Sequence, residues 1–241
     1  MTTERKMTHY ECVGEFHDTF GHPQKEIPYI TFFKDEPQLG PFRMSLMREE
    51  LKEFKDALEQ NDILEMADAL CDLLYVTYGT GHCLGMNLDN LLRASSLTIE
   101  IPNNLETKVN RNIINDCPDV IKDGLKNVCE MLDQFEYAYE IHDYKKMEGY
   151  LMRLLYATYS YGHILNFNMN LMFREVHASN MTKVCNNKED AKESVRRYIE
   201  EGRYSDPQHR QKGNYYVVYD ASTSKILKNY KWRKPNLEQF M

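Results

Sequence analysis

No stretch of this chain approaches the roughly 20 consecutive apolar residues that cross a bilayer. Its first residues, MTTERKMTHYEC, lack the apolar core of a signal peptide. A soluble, intracellular, cytoplasmic protein without a membrane partner is therefore expected. None of the six cysteines stands in a CxxC pair, which removes the common zinc and thiol-redox patterns. Cys71, Cys83 and Cys129 occupy apolar positions of helical patterns and read as reduced, structural residues. There is also no long block of like charge, and the formal net charge is −7. General affinity for nucleic-acid backbones or anionic membranes is not expected of such a surface. An acidic protein that binds a polyanion needs cations as mediators. With 241 residues, the chain is long enough to bury a sizeable core.

What the chain does have is acid at helical spacing. In EELKEFKDALEQNDILEMADALCD, residues 49–72, Glu50 and Glu53 lie three apart on one helix. Glu65, Asp68 and Asp72 follow at i, i+3 and i+7 on the next. Each set falls along one helical face. The second helix is apolar almost everywhere else (Ile63, Leu64, Met66, Ala67, Ala69, Leu70, Cys71, Leu73, Leu74), so it reads as a buried helix whose acids point inward. Ionised carboxylates in an interior are costly unless paired or metal-bound, and no stripe of Lys or Arg lies on these helices at matching positions. Hard divalent cations remedy this best: Mg2+ prefers oxygen ligands and is commonly held by a few carboxylates together with substrate phosphates. The alternative is that Glu50 and Glu53 are an ordinary exposed face and that Asp68 and Asp72 are capped by cationic side chains from elsewhere in the chain.

These residues resemble the all-α nucleoside triphosphate pyrophosphohydrolases, a superfamily with MazG-like, phosphoribosyl-ATP pyrophosphohydrolase-like and dimeric dUTPase-like members, whose hallmark is ExxE followed by ExxD. Glu50 and Glu53 match the first half, Glu65 and Asp68 the second, and Glu49 completes the EE doublet of MazG-like members. The resemblance continues in EFHxxFGHP near the N-terminus, in RxxLxxEE over Arg43, Leu46, Glu49 and Glu50, and in EVHxSNMSK over residues 175–183. A tail of the form GxYVVYDxxTxKIL completes it.

The resemblance implies an all-α helical bundle and a Mg2+- or Mn2+-dependent enzyme that converts a (d)NTP to (d)NMP and pyrophosphate. Glu50, Glu53, Glu65 and Asp68 would be metal ligands, and Asp72 a weaker candidate on the same face. Glu49, rotated by about 100° from Glu50, would be an outer-shell group or water base. Arg43 would meet a phosphate or orient a carboxylate, with a surface salt bridge as the alternative. Asn180 and Lys183 would contact sugar or phosphate. His17 and His22 read as structural or solvated histidines beside a helix end. Phosphoribosyl-ATP hydrolysis is the runner-up within enzymes, and a non-catalytic nucleotide sensor or helical interaction module stands outside them.

The chain also repeats itself. Leu73 to Tyr78 corresponds to Leu154 to Tyr159, and Gly81-His82 to Gly162-His163, an offset of 81 residues. At that offset Glu50, Glu53, Glu65, Asp68 and Asp72 become Met131, Gln134, Lys146, Gly149 and Arg153, so the helical scaffold is duplicated without its acids. The expected organisation is a first repeat over 1–97, a connector over 98–118, a degenerate second repeat over 119–185, and a C-terminal helix with a β-hairpin over 186–241. Together these are expected to make one compact domain. The loop over 24–41, a first acid helix starting near Phe42, and a second that continues through Tyr78 into a close-packing or ending stretch at Gly79, Gly81 and Gly85 are further expectations. So is a hairpin pairing NYYVVYD with KILKNYK around Ala221 to Ser224. Acids in one copy and the Asn180–Lys183 signature in the other suit a single composite pocket, in a monomer with a pseudo-dimeric core or in a homodimer.

Overall fold

The computed structural model describes residues 6–95 and 113–241. Its order is α1 (His9–Phe20), α2 (Phe32–Asp35), α3 (Leu39–Glu59), α4 (Ile63–Leu84), α5 (Leu88–Ala94), α6 (Ile113–Asp116), α7 (Pro118–Glu140), α8 (Tyr144–Ile164), α9 (Met169–Met181) and α10 (Lys188–Glu201). Strands β1 (Pro207–Lys212) and β2 (Tyr215–Asp220) and a short 3-10 turn at Leu237–Phe240 follow. The fold is all-α with one small antiparallel hairpin. Most of the expected connector lies outside the described residues, and its end forms α6. No helix among the described residues is long and apolar enough to cross a membrane.

Local chemistry sets the helix starts. Thr8 and Glu11 form a reciprocal capping box at α1. Asp62 accepts from the Leu64 and Glu65 amides at 3.1 Å, and 81 residues later Asp143 accepts from Lys146 at 3.0 Å. Asn87 and Asn168 cap α5 and α9 in the same relation.

The offset of 81 persists in the backbone and the core. Asn61 and His142 both have positive φ, as do Gly85 and Asn166. Leu51 and Phe54 are buried with Leu132 and Phe135, their equivalents, in one continuous cluster. The Tyr78 hydroxyl lies 3.0 Å from that of Tyr159, its own equivalent, as residues do across a two-fold axis. The central helix α4 packs against α1, α3, α8 and α9. That explains why nearly its whole surface is apolar.

Two expectations about boundaries need correction, and a third, left open, is decided. The segment 24–41 is not all loop: Phe32 and Phe33 are buried in α2, and α3 begins at Leu39 with Pro41 in its first turn, where a missing N–H costs little. Helix α4 runs past Tyr78 to Leu84 and ends at Gly85, whose left-handed conformation (φ 71° at the similar Gly21, 68° here) suits a residue without a Cβ. Gly79 and Gly81 are inside it, as close-approach points. The hairpin pairs β2 with the polar segment PQHRQK, not with KILKNYK: Lys212 pairs with Tyr215 across a Gly213-Asn214 turn with positive φ at Gly213. Past β2, Asp220 accepts from Ser222, Thr223 and the Asp206 amide, and the chain beyond returns only an isolated bridge from Ile226 to Tyr219.

The two copies of one glycine make a test. A Cβ at Gly81 would lie 2.7 Å from the Leu88 side chain and 3.0 Å from the Met86 carbonyl, whereas at Gly162 it would meet only the Met169 side chain, at 2.4 Å. A thioether chain swings aside more readily than a branched side chain backed by main chain. Gly81→Ala is expected to destabilise by about 1–3 kcal/mol, and Gly162→Ala to be near neutral because the gain in helix propensity offsets the displaced methionine. Denaturant unfolding of the two variants measures the difference.

Candidate active site

Helices α3 and α4 are antiparallel neighbours joined at Asp62, so the acids of both face one groove. Only part of the array turns inward. Glu50, Asp68 and Asp72 are half-buried, while Glu49, Glu53 and Glu65 are exposed, which corrects the expectation that all the acids of α4 point inward. Two of the exposed acids also have cationic partners that no pattern on α3 or α4 announces: Lys225 lies 2.9 Å from Glu49, and Lys234 lies 2.9 Å from Glu65, both reaching from the C-terminal segment.

At the inner end of the groove is a cavity of about 140 Å³. Glu50 and Asp72 line it from α3 and α4, Asn180 and Lys183 from the end of α9, and Arg43 from the start of α3. The acid cluster of copy one and the signature of copy two thus share one pocket. Glu53, Glu65 and Asp68 are not part of that lining; they continue the groove outward. Phe16, Tyr75, His17 and His22 complete the aromatic side, with the Phe16 ring edge-on to Tyr75 at 5.4 Å.

The electrostatics are those of carboxylates crowded together away from water. Burial, then the Asp72, Glu53 and Glu49 charges, pushes Glu50 well above the ordinary carboxylate range. Burial and Asp68 push Asp72 up to about 7, and burial and Glu65 push Asp68 up to about 6. Glu53 is raised in the same way, by partial burial and by Glu49.

The cations of the pocket are not simply their ion-pair partners. Arg43 is 4% exposed, donating from Nε to Thr80 Oγ1 at 3.0 Å and from its guanidinium to the Val76 carbonyl. A surface salt bridge is thereby ruled out for it: among the described residues no carboxylate reaches it within ion-pair distance, and burial lowers its pKa. Gly79 makes this possible, since a Cβ there would stand 2.5 Å from the guanidinium and 2.8 Å from His17. Burial also lowers the pKa of Lys183, against the pull of Asp72 and Glu50. Its ammonium sits 5.9 Å over the Phe16 ring. Asn180 is buried within hydrogen-bonding reach of the Tyr75 hydroxyl. His17 is buried and held by the Pro23 carbonyl at 2.8 Å, so it is structural, as expected. His22 is depressed to about 3 by burial and by Arg43. Both imidazoles are therefore neutral walls of the pocket at physiological pH.

The donor set suits a hard divalent cation. It is all oxygen, its inner carboxylates repel one another, and Asp68 Oδ1 is buried with no hydrogen-bond partner. Among the described residues no three or more Asp, Glu, His or Cys side chains stand close enough together to hold a metal ion by themselves. An ion here would complete its shell with water or phosphate oxygens, as Mg2+ usually does.

Residues 13–95 match the family model of phosphoribosyl-ATP pyrophosphohydrolase. That part of the chain is a domain of this family, within the MazG-like all-α NTP pyrophosphohydrolase superfamily, and the family implies a pyrophosphohydrolase acting on nucleotide-like substrates. Over its whole length the chain is 29% identical to an uncharacterized protein of Acanthamoeba polyphaga mimivirus, covering 98% of that protein. No solved structure matches.

The sequence gives no sign of Phe16, Phe42, Tyr75, Val76, Lys225 or Ile226 as pocket residues. Tyr75 reads as one more apolar position of a buried helix, and no local pattern connects Lys225 to Glu49, 176 residues away.

The raised carboxylates give the metal-free protein a characteristic pH dependence. Asp68 and Asp72 hold their protons in the fold up to about pH 6 and 7, whereas the unfolded chain gives them up near pH 4. The folded state binds more protons across that window, so stability falls as pH rises through it. The buried, depressed His17 and His22 contribute a slope of the opposite sign below about pH 6.5, so the groove's part is read as a difference. In chelator, Asp72→Asn is expected to gain stability over the wild type as pH rises from 5 to 8, by on the order of 1–2 kcal/mol at pH 8. A difference that does not grow with pH overturns this account of the groove.

Proposed function

We propose that the chain is a metal-dependent nucleoside triphosphate pyrophosphohydrolase, cleaving between the α- and β-phosphates to give (d)NMP and pyrophosphate. The observation that carries this reading is the shared cavity: buried acids of α3 and α4 on one side, unpaired cations Arg43 and Lys183 on the other. Phosphate with its counter-cation satisfies both walls at once, which no single ion of either sign does.

Glu50 and Asp72, with Asp68, Glu53 and Glu65 along the groove, are the residues that would hold Mg2+ or Mn2+. When bound, the ion neutralises phosphate charge and makes an attacking water more acidic. Glu49 stands on the rim beside Glu50, where a carboxylate accepts the proton of the water that attacks the α-phosphorus. Lys183 carries charge to the phosphates, and Asn180 supplies a directional contact to sugar or phosphate. Arg43, held by Thr80 and Val76 at fixed orientation, presents a preorganised positive charge from below. Phe16 and Tyr75 exclude water from the inner end.

Phosphoribosyl-ATP is a second candidate substrate, favoured by the description of the matching family; it presents the same bond to the same groups. Incubation with the common NTPs and dNTPs and with phosphoribosyl-ATP, each with Mg2+ or Mn2+, followed by pyrophosphate assay, separates the substrates. Binding of a nucleotide without pyrophosphate release identifies a sensor, and binding of none identifies an interaction module.

Glu50→Gln removes a charge without changing shape, and it is expected to lower kcat by at least about 100-fold with the fold intact by thermal melt. Wild-type turnover in this variant refutes the assignment. Lys183→Ala should raise KM about 10-fold or more, as loss of one charge-assisted hydrogen bond does, with little change in melting temperature. A variant strongly destabilised but with normal KM makes Lys183 a structural cation instead.

A further inference from the structure

Glu15 of the EFHxxFGHP segment and His177 of the EVHxSNMSK segment stand 162 residues apart in sequence, and neither lines the cavity. In the fold they meet, on α1 and α9. His177 Nε2 lies 3.0 Å from Glu15 Oε2, and the other ring nitrogen, Nδ1, lies 3.0 Å from the Tyr75 hydroxyl. Glu15 is exposed, whereas His177 and Tyr75 are buried. The contacts therefore run from the protein surface through the interior to the cavity wall, where the Tyr75 hydroxyl is within hydrogen-bonding reach of the Asn180 carboxamide. Packing holds the rings in place: Tyr75 stacks on Phe173 at 5.5 Å and on His177 at 6.1 Å, with Phe16 edge-on at 5.4 Å.

Each link of this chain fixes the next. An ionised carboxylate only accepts hydrogen bonds, so the His177 nitrogen that faces Glu15 carries the proton. Burial lowers the pKa of His177 against the pull of Glu15, and in the neutral ring Nδ1 is then an acceptor. The Tyr75 O–H donates to it, which turns the hydroxyl proton away from Asn180. What remains on the Tyr75 oxygen is lone pairs, so the Asn180 carboxamide turns its NH2 to Tyr75 and its oxygen away. A carboxamide without such a partner presents donor and acceptor interchangeably, because its two ends have nearly the same shape.

We propose that Glu15 and His177 are positioning residues of the active site, fixing through the Tyr75 hydroxyl which end of the Asn180 carboxamide meets the substrate. This rests on the reading of the cavity as a nucleotide pyrophosphohydrolase site. The substrate group that meets Asn180 is accordingly a hydrogen-bond donor and not an ionised phosphate oxygen.

The positioning is measured first without a ligand. In nitrogen NMR spectra of the wild-type chain, His177 is expected as the Nε2–H tautomer. Glu15→Gln, whose amide donates as well as accepts, should mix the two tautomers and shift the Asn180 side-chain NH2 signals. Those of Asn229, bonded to the Thr182 and Val184 carbonyls, should stay in place. An Nδ1–H tautomer in the wild type, or Asn180 signals that ignore Glu15→Gln, overturns the proposal. Calorimetry then uses an α,β-methylene nucleoside triphosphate with Mg2+ as probe. Glu15→Gln and Tyr75→Phe should each weaken its binding about 5-fold, and Glu15→Gln should leave the melting temperature nearly unchanged because the side chain is exposed. Neither should weaken binding further in an Asn180→Ala background, since both act through that residue. Losses that add to that of Asn180→Ala make Glu15 and Tyr75 independent supports of the fold and overturn the proposal. A wild-type chain that binds no nucleotide refutes the reading of the cavity, and the Asn180 spectra still decide whether Glu15 and His177 position that side chain.

Discussion

Carboxylates on a buried helix constrain everything around them. Helix α4 is enclosed by α1, α3, α8 and α9, and a helix so placed is ordinarily apolar on all sides. Asp68 and Asp72 interrupt that surface, and their neighbours compound the cost: the charge of Asp72 opposes ionisation of Glu50, and that of Asp68 opposes ionisation of Asp72. Stability alone does not favour this arrangement, since apolar residues of similar volume would pack there at lower cost. The site therefore carries a local excess of negative charge, which Lys183 offsets in part beside Asp72 and which Lys225 on Glu49 and Lys234 on Glu65 offset at the outer edge.

The duplication shows what happens when that constraint is lifted. Copy two keeps the caps at Asp143 and Asn168, the positive φ at His142 and Asn166, and the core at Leu132 and Phe135. It has Met131, Gln134, Lys146, Gly149 and Arg153 where the acids stood. Lys146 pairs with its own cap, Asp143, at 3.4 Å, and nothing lies within 4 Å of where a Gly149 Cβ would be. At the position of Arg43 the second copy has Gly124, and the Tyr161 ring, equivalent to Thr80, fills the space. The buried cation and its hydroxyl partner are thus replaced together by an aromatic packed on a glycine. Scaffold and chemistry separate cleanly: helix ends and core positions persist in both copies, while charged groups are concentrated around one pocket.

Much of this was legible in the sequence because it is local. Periodicity located α3 and α4, an Asp at a helix start marked its cap, and a fixed offset disclosed the repeat. The glycine stretch leaves close packing and a helix end both open, and the structure divides them: Gly79 and Gly81 permit close approaches, of Arg43 and His17 in one case and of Leu88 in the other, while Gly85 ends the helix. The hairpin was assigned the wrong partner because β1, PQHRQK, has none of the apolar alternation that marks a strand, and it is held by pairing to β2 rather than by its own composition. The exposure of Glu53 and Glu65 was hidden for a related reason: helical spacing says which acids share a face, not how far the face is covered.

The least legible part is the one that joins the two ends of the chain. Lys225 meets Glu49, and Lys234 meets Glu65 across 169 residues, and no spacing rule anticipates such pairs. Their consequence is organisational. The second copy's signature and the C-terminal segment are fastened to each other by Asn229 on both sides of Lys183, so the cationic wall of the cavity is one mechanical unit made after the acid wall in chain order. A pocket assembled this way does not exist until the whole chain has folded, even though the residues that match the family model, 13–95, end long before Lys183. The acid half lies within the residues that the family model matches, and the half opposite, Asn180, Lys183 and Lys225, lies beyond them, so the pocket's charge balance depends on the part of the chain that the family model does not reach.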